Sequence, residues 1–216
     1  MIHKLFATPI YHENLNDESL RLALERKVKA SQNDRYAHPN PPQGRFPGVF
    51  ESRFDFLTET SDAAIRQLSI QIDAHLNALI AVLTGSKPEE IDMKGLGCES
   101  WFHITTGGGY FQPHHHPNAS WSVVYCVSNG LEDEGDSQDG SGHLVFMDPR
   151  SASMFLDQHS RKLHRDISFD GVKYLLADGD IVIFPSYLQH YVSPYRGASS
   201  RITIAANFWG RHRDDK

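Results

Sequence analysis

A chain of 216 residues with 39% hydrophobic and 22% charged residues carries enough apolar surface to bury a core of its own, which argues against disorder. No apolar run reaches the length of a membrane span or a secretory leader, so a cytoplasmic protein with no membrane partner is expected. A net charge of −6 with 21 scattered basic residues excludes a nucleic-acid footprint, whereas 13 histidines are unusually many.

The opening residues, Met1 to Tyr11, alternate weakly and predict an early strand that a proline keeps at a sheet edge. Asn16 or Asp17 is placed to cap a helix from Glu18 to Ala30. Residues 31–56 are rich in proline, glycine and phenylalanine and predict a long irregular segment, either a flap over a pocket or padding on the core. Ser61 to Leu83 repeats Ile and Leu at helical spacing, with Ser61 or Asp62 at its start and Gly85 past its end.

From Met93 onward the pattern is all β. Short runs rich in Val, Ile, Phe, Tyr and Thr are expected as strands at Cys98–Thr105, Trp121–Ser128, His143–Met147, Val172–Ala177, Asp180–Phe184, His190–Ser193 and Arg201–Trp209. Acidic residues 129–142 and polar residues 151–170 read as solvated connections. Cys98 and Cys126 lie in or beside apolar runs and are expected as buried, reduced thiols. One domain over 1–216 is expected, with the strand, helices and loop in 1–92 and the β core in 93–210.

The chemistry concentrates in FQPHHHPNASWSVVY, residues 111–125. Side chains at i and i+2 of a strand share a face, so His114 and His116 project together and His115 points away. Two neutral imidazoles on one face make half a site for a first-row transition metal. His190 opens a later strand that could close on this pair. Arg201 opens another, in which Arg201, Thr203, Ala205 and Asn207 share one face. A buried arginine is costly without an anion, and a carboxylate held by the guanidinium fork is the natural one.

The segments LFATPIY, GGYFQPHHHPNASWSVVYCV, FMDPR, DGDIVIFPSYLQHYVSP and RITIAANF together resemble the Fe(II)- and 2-oxoglutarate-dependent oxygenases, in particular a subfamily with HxHPN, FPSxLxH and RxT motifs. The resemblance implies a mainly β fold: a double-stranded β-helix, or jelly-roll, with about two N-terminal helices packed on one face. It implies Fe(II) as metal and 2-oxoglutarate as cosubstrate. His114, His116 and His190 resemble the metal ligands, Arg201 with Thr203 resembles the pair that grips the cosubstrate carboxylate, and Tyr125 is placed at the cosubstrate as well. Trp101, His103 and Asn118 are further pocket candidates. His116 departs from the wider superfamily, where an Asp or Glu completes the triad; Val123 and Cys126 stand where Gly and Tyr are expected.

The implied reaction is hydroxylation of a small molecule or a side chain with release of succinate and CO2. A three-histidine dioxygenase that uses no 2-oxoglutarate and a non-catalytic jelly-roll binding module are the competing readings. Substrate and oligomeric state are not legible in the sequence.

Overall fold

Two apolar stripes at helical spacing set the outer layer. Helix α1, Glu18–Ala30, starts where the Asp17 side chain accepts the N–H of Leu20 at 2.9 Å, and it buries Leu20, Leu24 and Val28. Helix α2, Ala63–Thr84, starts where Asp62 accepts from Ala64 and Ile65, and ends at Gly85 in the left-handed region with φ 69°. Its buried face, Ile65, Leu68, Ile72 and Leu76, packs with that of α1. Each such fully buried side chain contributes about 1.5–3 kcal/mol. The computed structural model describes residues 5–39, 48–131, 140–149, 159, 162–164 and 171–210. No helix among them is long and apolar enough to cross a membrane.

Among the described residues, ten strands form two antiparallel sheets. They are β1 (Tyr11–Asn14), β2 (Val49–Glu51), β3 (Leu96–Thr105), β4 (Phe111–His114), β5 (Trp121–Ser128), β6 (Leu144–Phe146), β7 (Val172–Tyr174), β8 (Asp180–Pro185), β9 (His190–Val192) and β10 (Arg201–Gly210). The larger sheet runs β1-β8-β5-β10-β3-β2 and the smaller β4-β9-β6-β7. With two helices laid against one face of the larger sheet, this is the mainly β, jelly-roll architecture that the sequence predicts.

Strand alternation sorts β10 between two cores. Ile202, Ile204, Ala206 and Phe208 join the helix-facing cluster, while Arg201, Thr203, Ala205 and Asn207 face the space between the sheets. A second apolar cluster fills that space below the site, built from Val182 and Phe184 of the larger sheet and Leu144, Phe146 and Val192 of the smaller.

Three expectations change. Among the described residues the early strand expected over 1–11 begins only at Tyr11, and 1–4 lie outside them: Pro9 has no N–H to donate, and pairing with β8 starts at Tyr11–Ile183, with Leu5 and Phe6 exposed. The segment expected to be irregular over 31–56 contains β2, an edge strand on β3, and Ala37 bridges Ser52; its prolines spare residues 49–51. Cys98 is exposed, and only Cys126 is buried. Because β1 and β2 hydrogen-bond into the larger sheet, residues before 93 belong to the same sheet as those after it. The loops expected over 129–142 and 151–170 lie largely outside the described residues.

Candidate metal centre and cosubstrate pocket

The smaller sheet brings two of the histidines together by register. His114, at the end of β4, is the direct cross-strand partner of His190 at the start of β9, and their ring centroids are 4.4 Å apart. β4 ends at His114, so His116 lies just beyond the strand. The extended chain before Pro117 nevertheless keeps the two-residue repeat: His114 and His116 are half-buried and His115 is exposed. The His116 ring lies 5.2 Å from that of His114 and 5.4 Å from that of His190. One ring nitrogen from each of the three lies within 4.8 Å of the others, and among the described residues no carboxylate joins the group.

Hydrogen bonds fix which nitrogen is available. The Nδ1–H of His114 donates to the Gln112 carbonyl at 2.7 Å, and that of His190 to the Leu188 carbonyl at 2.9 Å. A carbonyl only accepts, so the proton is on Nδ1 and the Nε2 lone pair is left for a cation. His116 is held through its backbone, whose N–H donates to the Ser186 carbonyl at 2.9 Å. Behind it, Ser122 Oγ bonds both Ser186 Oγ and Asn207 Oδ1 at 2.8 Å, and Asn207 donates to Glu99 at 3.0 Å. This polar chain from β10 to the His116 turn escaped the sequence reading. The alternation that set Asn207 beside Arg201 was its one visible trace.

Burial keeps the imidazoles neutral. Desolvation first, then the positive potential of the neighbouring rings, pushes His116 down to about 4 and His190 down to about 3; burial lowers His114 too. A cluster that is unprotonated at neutral pH and presents lone pairs to one point fits a divalent first-row metal.

On the facing sheet, Arg201 is 3% exposed, and among the described residues no ion pair reaches it. Asp178 is engaged by Arg21 at 3.2 Å and Asp180 by His12 at 2.9 Å, so neither strand-end carboxylate serves it. Burial pulls the guanidinium below its ordinary value, which is the signature of a desolvated charge. Thr203, 3% exposed, lines the same pocket two residues on. Its cross-strand partner His103 also lines the pocket and bonds Glu51 at 2.9 Å. The cavity is small, about 50 Å³. A larger, open cleft of about 260 Å³ lies between Tyr36, Arg53 and Glu59 and contains none of the three histidines.

Tyr125 is not at the pocket. On β5 it alternates outward with Val123 and Val127 into the helix-facing core, fully buried, while Val124 and Cys126 take the inward face. Asn118 is exposed in the turn after His116, whereas Trp101 and His103 line the cavity.

The model of a 2OG-Fe(II) oxygenase family matches residues 99–207, which includes all three histidines and Arg201. The chain belongs to this family. It is a 2OG-Fe(II) oxygenase, an enzyme of a family defined by iron and 2-oxoglutarate, and that decides against the two competing readings. No curated protein matches the chain. Among solved structures, a Pseudomonas putida prolyl-4-hydroxylase is similar with a TM-score of 0.65 at 15% identity, covering 95% of this chain and 94% of that one. A Trichoplax adhaerens prolyl hydroxylase, in complex with a peptide fragment of the hypoxia inducible factor oxygen degradation domain, has a TM-score of 0.64 at 16% identity, covering 95% and 84%. HygX from Streptomyces hygroscopicus, with nickel and 2-oxoglutarate bound, has a TM-score of 0.60 at 10% identity, covering 94% and 84%. At such identities these likenesses establish the jelly-roll fold of the oxygenase and nothing finer about its site.

Proposed function

We propose that this oxygenase holds Fe(II) with His114, His116 and His190, anchors 2-oxoglutarate with Arg201 and Thr203, and hydroxylates a small molecule or an amino-acid side chain. The observation that carries the reading is one cavity with two complementary features. On the smaller sheet and the turn after β4, three neutral imidazoles converge; on the larger sheet a buried guanidinium has no ion-pair partner among the described residues. A dicarboxylate with one end at each feature satisfies both.

When bound, iron would supply the oxidising chemistry in which O2 is the oxidant: one of its atoms enters succinate as 2-oxoglutarate loses CO2, and the other enters a substrate C–H bond. The chain's own groups do the positioning. His114 and His190 are locked in ring orientation by their carbonyl bonds, so the donor atoms need no reorganisation on binding. Arg201 offers a fork that fixes the distal carboxylate in two dimensions, and Thr203 a hydroxyl beside it. Phe184, Leu144 and Val192 make the wall apolar and exclude water from the reacting end. A third neutral ligand in place of a carboxylate leaves the centre one negative charge poorer, so the cosubstrate's own charge contributes more of the neutralisation.

The test is anaerobic reconstitution with Fe(II) followed by 2-oxoglutarate, read by the weak visible charge-transfer band of the chelate. The band is expected in the wild-type protein and absent in His190→Ala. Its absence from the wild-type protein would falsify the reading, and its survival in Arg201→Ala would remove the anchor assignment.

A further inference from the structure

Trp101 stands on the pocket face of β3, 6% exposed, and its indole nitrogen is buried with no hydrogen-bond partner among the described residues. An indole N–H donates only, and a buried one left unpaired costs about 1–3 kcal/mol. Natural cores rarely keep such a group without a use for it.

Its position says which ligand it serves. In the β3–β10 register Arg201 is opposite Thr105, Thr203 opposite His103, and Ala205 opposite Trp101. Trp101 is therefore four residues, roughly 13 Å along the strand, from the level of the guanidinium. It is beside the metal centre instead, with its ring 5.8 Å from that of His116. Along this face Trp101 stands at the Ala205 level, on the opposite side of Thr203 from Arg201. Phe54 packs against Trp101 at 4.8 Å, and His38 against Phe54 at 4.5 Å. Contacts with His116, Phe54 and His103 hold the indole in one orientation.

Building on the site reading above, we propose that the Trp101 N–H is the donor that positions the substrate, by binding a carbonyl-type oxygen near the carbon to be hydroxylated. The substrate is then an amide or acyl compound.

The test uses protein loaded with Zn(II), which is diamagnetic and inert to turnover, and follows the indole ¹⁵N–¹H resonances of Trp101, Trp121 and Trp209. Trp101→Phe identifies the Trp101 signal; Trp121→Phe and Trp209→Phe identify it by elimination if that variant does not fold. N-methylacetamide serves as the carbonyl probe in the presence of 2-oxoglutarate. The Trp101 signal is expected to stay in place when 2-oxoglutarate is added and to move downfield with the amide. Trp101→Phe should weaken the amide about tenfold, read from backbone amides around His116 and Phe54. A Trp101 signal already moved by 2-oxoglutarate assigns the donor to the cosubstrate and overturns the proposal. So does a signal indifferent to the amide up to its solubility limit. The Fe(II) charge-transfer band separates the two levels: its presence together with an indifferent indole sinks this proposal alone.

Discussion

His114 and His190 are a registered cross-strand pair at the β4–β9 junction, each with its Nδ1–H given to a backbone carbonyl two residues earlier in the chain. The same local geometry occurs twice. Both rings are thus turned to one point by main-chain groups that no side-chain substitution nearby removes.

Substituting either ring is expected to abolish metal retention. After reconstitution with Fe(II) and desalting, metal analysis should find background levels in His114→Ala and His190→Ala. The loss should exceed the roughly 10–100-fold cost of an outer-shell partner. His115→Ala, which removes an exposed ring, should keep wild-type stoichiometry.

His116 is the residue whose chemistry departs from the wider superfamily. His116→Ala should weaken Fe(II) by more than about tenfold, whereas His116→Asp or His116→Glu, which adds a negative charge facing a cation, should retain it. Calorimetric titration under anaerobic conditions measures this. Wild-type affinity in His116→Ala would remove the residue from the ligand set.

Arg201→Met is expected to separate binding from folding. No ion pair among the described residues is broken, and a desolvated charge is relieved, so the denaturation midpoint should not fall. The affinity for 2-oxoglutarate should drop by about 2–5 kcal/mol, roughly 30-fold to several thousand-fold, because the carboxylate loses its fork.

Tyr125→Phe should do the opposite of what a cosubstrate role requires. The hydroxyl is buried against the helices without a hydrogen-bond partner among the described residues, and burial raises its pKa. Removing it should leave 2-oxoglutarate affinity unchanged and stability equal or higher, by up to about 1–3 kcal/mol. Chemical denaturation and the charge-transfer titration read the two effects.

Metal-free stability should fall with acid. His190 is pushed down to about 3 and His116 down to about 4 from an ordinary value of 6.5, so between those limits the unfolded chain binds protons that the folded one does not. Stability then rises with pH through this window, and the contribution present above about 6.5 is lost progressively towards 3. Urea midpoints of the metal-free protein from pH 7 to pH 4 should decline, less steeply in His190→Asn.

How much of this is written in the chain differs by level. Both helices were readable to within a residue or two, and most strands nearly so, because capping residues and alternation are local and act within a turn or a pleat. Alternation alone also assigned His115 outward and divided β10 into a core face and a pocket face. Tyr125 shows where the local rule stops: it fixes that residues 123, 125 and 127 share a face, but which face meets the helices depends on the layer that covers the sheet. The register that sets His114 against His190, the distance of Arg201 from any carboxylate among the described residues, and the placing of Trp101 beside His116 are long-range facts. They follow from pairings between strands some 75 to 100 residues apart. The sequence by itself determined which residues could carry the chemistry and what elements they ride on. Only the packing of two sheets decided which of them meet, because no local preference specifies the distance between side chains on different strands.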